Sequence, residues 1–121
     1  MSKSLRFARF IHLIEAIDQL PVPTELYNRY RTQYDYILGQ ICLGDSMDKK
    51  LSVSNLYQYP ILGSQPTVNK RLRELISYGL VQTSEGMDRR QKFLVLTYEG
   101  NQYLEACAEA MSKVFDPHAP H

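Results

Sequence analysis

From Ser4 to Leu20, apolar residues recur at steps of three and four, at Phe7, Phe10, Ile11, Ile14 and Ile17. That is the period of one face of an α-helix, and Ala8 and Leu13 widen the stripe. Pro21 and Pro23 end it, because proline lacks an amide donor and disfavours helical geometry in the residue before it. A second helical stretch opens at Thr24 and Glu25. It carries Tyr27, Tyr30, Tyr34, Ile37, Leu38, Ile41 and Cys42 to an expected stop at Gly44, and the pattern leaves open whether it is one helix or two. A polar run from Gly44 to Lys50 reads as a loop. Leu51-Ser52-Val53-Ser54 then offers a capping serine before a short helix through Leu56 and Tyr57 to Pro60.

Gly63-Ser64-Gln65-Pro66-Thr67 predicts the start of another helix, with Ser64 or Gln65 as its cap and Pro66 in the first turn, where its missing donor costs nothing. At 100° per residue, Val68, Leu72, Leu75 and Ile76 share one face. Pro66, Lys70, Arg73 and Ser77 fall opposite, with Thr67 and Glu74 beside them. Gly79 predicts a left-handed stop. Two β-prone runs follow, Leu80-Val81-Gln82-Thr83 and Phe93-Leu94-Val95-Leu96-Thr97, separated by Ser84 to Arg90 as a hairpin with a charged tip. Tyr98-Glu99-Gly100 leads into a closing helix with Tyr103, Leu104, Cys107, Ala108, Met111 and Phe115 on it.

The expected fold is mainly α with a small β-hairpin wing: a winged helix-turn-helix in the order α-α-α-α-β-β-α. Residues 1–121 read as one domain. Within it, 4–44 form N-terminal helices for dimerisation and support, and 51–97 the winged helix-turn-helix. Residues 98–115 are the C-terminal helix and 116–121 a tail, so His118 and His121 beside Asp116 read as a flexible terminus rather than a metal site.

Composition narrows the function. The 121 residues are 44% apolar and 22% charged, which suits one globular core and excludes disordered or collagen-like chains. No apolar run approaches the roughly 18 residues of a membrane span, and no signal-peptide pattern opens the chain, so a cytoplasmic protein is expected. Cys42 and Cys107 lack zinc spacing and read as buried free thiols; no metal and no cofactor is expected. No nucleophile beside a base, phosphate-binding loop, dinucleotide motif or HExxH pair is present, and Glu15, Asp18 and Asp35 read as solvated surface, so the chain is not expected to be an enzyme. The tyrosines at 27, 30, 34 and 36 read as core and interface residues. A ligand pocket is the other reading, and no residue supports a small-molecule effector.

The formal net charge of +1 hides a local asymmetry. Between Ser64 and Lys92, six basic residues (Lys70, Arg71, Arg73, Arg89, Arg90, Lys92) face three acidic ones (Glu74, Glu85, Asp88), an excess of +3 that leaves −2 for the rest. A helix of this kind suits the major groove of duplex DNA. Gln65 and Asn69 match adenine, Lys70 and Arg73 match guanine or phosphate, and Thr67 matches either a base or a phosphate. Arg89 and Arg90, with Lys92 behind them, suit phosphates or a narrow minor groove, and Asp88 suits orienting a neighbouring arginine. The expected DNA-binding set is therefore Ser64, Gln65, Pro66, Thr67, Asn69, Lys70, Arg73, Arg89, Arg90 and Lys92.

Over about Leu51 to Leu104 the sequence resembles the winged-helix core of the MarR family of bacterial transcription regulators. The resemblance rests on Thr67-Val68 with Lys70, on Leu72-Arg73-Glu74-Leu75 leading to Gly79-Leu80-Val81, and on Asp88-Arg89-Arg90-Gln91-Lys92 before Leu96-Thr97 and Glu99-Gly100. It implies a homodimer on a pseudo-palindromic operator, with recognition helices in successive major grooves and wing arginines at the flanking minor grooves. Two features depart from the family pattern: a turn lengthened around Pro60, and a short segment after Glu99, which shifts the expected dimer contacts towards Phe7, Ile11 and Ile14. The other function compatible with these residues is a protein-interaction module without specific DNA binding.

Overall fold

The computed structural model describes residues 2–86 and 92–115. Helix α1 spans Lys3–Asp18, capped by the Ser2 hydroxyl, which accepts from the Leu5 amide at 3.1 Å. Helices α2 (Glu25–Arg29) and α3 (Arg31–Ser46) follow, then strand β1 (Leu51–Ser52) and helix α4 (Val53–Leu56). A 3₁₀ turn at Pro60–Leu62 leads to helix α5 (Gln65–Ser77). Strands β2 (Val81–Glu85) and β3 (Lys92–Leu96) form the hairpin, and α6 (Tyr98–Phe115) closes the fold. It is the winged-helix architecture expected from the sequence, with a three-stranded antiparallel sheet ordered β1-β3-β2.

Several details differ from expectation for identifiable reasons. The second helical stretch divides at Tyr30, whose φ of −120° and ψ of 24° leave helical geometry and turn α3 away from α2. Gly44 does not stop α3, which runs two residues further. A Cβ there would lie 2.5 Å from the Lys49 carbonyl oxygen, so glycine serves a close approach, and the reversal falls at Asp48, with φ of 55°. Leu51 and Ser52, read only as a cap, pair with Leu94 and Phe93 as a third strand. Ile76 is 40% exposed rather than on the buried face, while Arg71 takes the inward place. Cys42 is exposed and Cys107 half-buried, so neither is the buried thiol expected; burial pushes the Cys107 thiol pKa up.

One apolar cluster joins α2 to α6. Tyr27, Tyr34, Ile37, Leu38 and Ile41 meet Leu56, Leu62, Val68, Leu72 and Leu75, with Leu80, Val81, Leu94 and Tyr103 completing it. Each such side chain contributes on the order of 1.5–3 kcal/mol by leaving water. The expected core role of the tyrosines holds at positions 27 and 34, which are fully buried, with ring centroids 4.7 Å apart. Tyr36 packs edge-on against Tyr59 at 5.4 Å.

Helix α1 stands apart from this cluster. It packs along α6, and Leu13 is its one buried residue among those described, while Phe7 is 66% exposed and Phe10, Ile11 and Ile14 lie open beside it. The start of α6 is seated tightly on the winged unit. The Thr97 hydroxyl accepts from the Gly100 amide at 3.0 Å and donates to the Gly79 carbonyl. At Gly100 a Cβ would fall 2.1 Å from the Leu80 carbonyl oxygen, so only glycine fits there without displacement.

Candidate nucleic-acid interface

Two short segments aim α5. Helix α4 is held by the Ser52 amide, which donates to Asn55 Oδ1 at 2.8 Å, and is pinned by the buried Leu56. The lengthened turn around Pro60 then folds as a 3₁₀ turn over the buried Leu62 and ends at Gly63, whose φ of 87° and ψ of −157° are accessible to glycine and rarely to other residues. Ser64 caps α5. Its hydroxyl accepts from the Thr67 amide at 3.4 Å and shares a hydrogen bond with Thr67 Oγ1 at 3.1 Å.

The inward face of α5 is Val68, Arg71, Leu72 and Leu75. Gln65, Pro66, Lys70, Arg73 and Ser77 are exposed, with Ser64 exposed just before them, and Thr67 and Asn69 are half-buried at the two edges of the outward face. Seven of the ten expected DNA-binding residues therefore lie on or beside one surface of α5. Lys92 is exposed at the start of β3, opposite Glu85 across the hairpin. Arg89 and Arg90, with Asp88, lie outside the described residues.

Sequence periodicity missed three residues, two of them at this helix and one, Asp35, on α3. Arg71 looks like another outward cation, yet it is 7% exposed. Its guanidinium lies 3.4 Å from the Tyr30 ring centroid, its Nε donates to Gln33 Oε1 at 3.1 Å, and it forms an ion pair with Glu74. Tyr57, just after α4, donates its hydroxyl to Asn69 Oδ1 at 2.6 Å. Asp35, expected on solvated surface, accepts from Tyr27 Oη at 2.9 Å and Tyr103 Oη at 2.8 Å. The one sequence signal for Arg71 was its place on the Val68–Leu72–Leu75 face; nothing local marked the other two.

Around Asp35 a polar network ties α1, α2, α3 and α6 together. Arg31, 7% exposed, donates from Nη1 to Tyr103 Oη at 2.6 Å and from Nη2 to Asn28 Oδ1 at 2.6 Å. Its Nε lies 3.4 Å from Asp18 Oδ1. Desolvation raises the Asp35 pKa against the opposing pull of the Tyr103 and Tyr27 hydroxyls and the Arg31 charge. Burial likewise raises the pKa of both tyrosines, so they stay neutral donors. A cavity of about 470 Å³ opens beside the network, walled by Phe10, Ile14 and Ile17 of α1. Among the described residues no group of three or more His, Cys, Asp or Glu could hold a metal ion, and no helix is long and apolar enough to cross a membrane.

No family model and no curated protein matches the sequence. Solved structures do match in fold. A point mutant of S. aureus MepR bound to an oligodeoxyribonucleotide superposes with a TM-score of 0.63 at 19% identity, over 100% of this chain and 86% of that one. S. aureus MepR bound to ethidium bromide gives 0.65 at 20% identity, over 93% and 77% of the two chains. A MarR-like transcriptional regulator from Thermotoga maritima gives 0.63 at 18% identity, over 97% and 80%. The resemblance read from Leu51 to Leu104 thus extends in three dimensions over nearly the whole chain, which has the fold of the MarR-type winged-helix regulators.

Proposed function

We propose that this chain is a non-catalytic, sequence-specific regulator of transcription that binds duplex DNA as a homodimer, with α5 in the major groove. The observation that carries this reading is the outward face of α5. Lys70 and Arg73 stand exposed on it, one turn apart by helical spacing, with Gln65, Pro66 and Ser64 at its leading end, on a helix locked from behind by Val68, Leu72 and Leu75. The fold supports the reading, since MepR of the same fold has been solved with DNA. Lys92, with Arg89 and Arg90, is assigned to phosphates or the flanking minor groove.

Homodimerisation is supported by α1, whose Phe7, Phe10, Ile11 and Ile14 form an exposed apolar stripe of the kind that marks an interface. Two copies joined there would serve half-sites about one helical turn apart, roughly 34–36 Å. In this division of labour residues 4–44 support and dimerise, 51–97 bind DNA and 98–115 link the two.

Selection from a random duplex pool, followed by titration of the selected duplex against salt, tests the proposal. A pseudo-palindromic motif and a steep salt dependence are expected, and Lys70→Ala should flatten the slope by about one phosphate's worth of counterion release. Absence of salt-sensitive duplex binding by the pure protein would overturn the proposal and favour a protein-interaction module.

A further inference from the structure

We propose that Tyr57 is a positioning residue that turns Asn69 into a one-sided reader of bases, presenting its amide donor to the DNA and keeping its carbonyl oxygen turned away. Asn69 as a base reader rests on the DNA-binding function proposed above.

A free asparagine carboxamide is nearly symmetric in shape, so it can present either its oxygen or its NH₂ to a base edge by a 180° flip. An unheld asparagine therefore accepts donors and acceptors alike. Asn69 is held. The Tyr57 hydroxyl lies 2.6 Å from Oδ1, a separation typical of O–H···O and below the usual range for N–H···O, so the hydroxyl is the donor and the carbonyl oxygen the acceptor. Flipping the amide would replace that bond with a longer one.

The geometry of the two elements makes the restraint directional. Tyr57 is half-buried just after α4 and packs against the apolar core, whereas Lys70 and Arg73 are exposed. Asn69 is half-buried on α5 one turn before Arg73, at the edge of the outward face. With Oδ1 engaged towards Tyr57, Nδ2 is the atom left for the groove. An amide donor selects a base-edge acceptor, a purine N7, the guanine O6 or the thymine O4, and discriminates against the cytosine N4 and adenine N6 amines. The sequence matches Asn69 to adenine; a two-atom contact with adenine N6 and N7 needs both amide atoms, and the Tyr57 hydrogen bond leaves a single-donor contact.

Duplex selection with wild type, Tyr57→Phe and Asn69→Asp tests this, with the melting temperature of each variant measured alongside. Tyr57→Phe keeps the ring and removes only the hydroxyl. At one position in each half-site, base discrimination should fall by about tenfold while the other positions keep theirs. Asn69→Asp replaces the NH₂ with a second acceptor, and the same position should switch to cytosine or adenine, whose N4 and N6 amines donate. A purely structural Tyr57 would instead weaken all sequences together without changing preference, and that result would overturn the proposal. So would a Tyr57→Phe motif identical to wild type at every position. If wild type itself selects no motif, the DNA-binding function fails and this proposal with it, an outcome distinct from the other two.

Discussion

Replacing Tyr103 with Phe removes a single oxygen atom that does two things. It accepts from Arg31 Nη1 at 2.6 Å and donates to Asp35 Oδ1 at 2.8 Å. A hydrogen bond to a charged group contributes roughly 1.5–3 kcal/mol net. Doubling that range overstates the loss, because Asp35 still accepts from Tyr27 at 2.9 Å and is not fully buried. Arg31 keeps Asn28 and Asp18 on Nε and Nη2, but it is 7% exposed and its Nη1 loses the hydroxyl that received it. The expected cost is therefore about 3 kcal/mol. For a domain of this size, with an unfolding entropy of about 0.25 kcal/mol/K, the melting temperature should fall by about 12 °C. Urea denaturation followed by circular dichroism, at one fixed protomer concentration because association adds to apparent stability, gives the free energy directly. Tyr27→Phe is the internal control: its hydroxyl donates to Asp35 at 2.9 Å, so its loss should cost about 1.5 kcal/mol. If Tyr103→Phe costs less than Tyr27→Phe, Arg31 is not held through Tyr103 and the network has been misread.

Asp35→Asn should remove a pH dependence. The folded-state pKa of Asp35 is raised above 3.8 by desolvation, so its favourable contribution is complete below that value and is lost as pH rises through the folded pKa. Urea midpoints from about pH 4 upward should fall more steeply in wild type than in Asp35→Asn, and equal slopes would sink the assignment. Gly100→Ala sets a Cβ 2.1 Å from the Leu80 carbonyl oxygen, forcing the start of α6 off the winged unit at a cost of about 2–3 kcal/mol. An unchanged melting temperature would refute that close approach. Ser64→Ala loses the cap of α5, but the bond to the Thr67 amide is long at 3.4 Å, so thermal melts should show a loss below about 1 kcal/mol.

Elements whose apolar residues face their own core were legible in the sequence. Val68, Leu72 and Leu75 recur at helical spacing and are buried, and Gly79, at φ of 78°, ends the helical segment where its neighbours predicted. Helix α1 was legible as a helix but not in its partner: the stripe that predicts it is mostly exposed, because periodicity reports an apolar face and not what covers it. The third strand was invisible because Leu51–Ser52 is two residues long, too short to show alternation, and exists only by pairing with Phe93 and Leu94. Asp35, Arg31 and Tyr103 could not be linked, since 68 residues separate Asp35 from Tyr103 and only the docking of α6 brings them together. The outward face of α5, with Pro66, Lys70, Arg73 and Ser77 exposed, follows from helical spacing, while the support beneath it, from Tyr57 and Arg71, comes from side chains that cross between elements.

Arg71 is where that distinction has the sharpest consequence. In the sequence it adds to a basic cluster and Glu74 subtracts from it, as though both faced the same surface. In the structure the two charges cancel against each other in an ion pair turned towards α3, with Arg71 stacked on Tyr30 and bonded to Gln33. The net charge of α5 is unchanged by this, but its distribution is not, since the exposed charges left on the helix are Lys70 and Arg73, both positive. At physiological salt, screening acts over about 8 Å, so a phosphate beside α5 responds to those two cations and hardly to the internal pair. Arg71→Met should therefore weaken operator binding by loosening the seat of α5 on Tyr30, while leaving the slope of log affinity against log salt at the wild-type value. Arg73→Ala should flatten that slope by about 0.9 for the phosphate it gives up. Fluorescence anisotropy over a series of salt concentrations separates the two. If Arg71→Met flattens the slope as Arg73→Ala does, Arg71 reaches phosphate in the complex, and its inward packing is not the state that binds DNA.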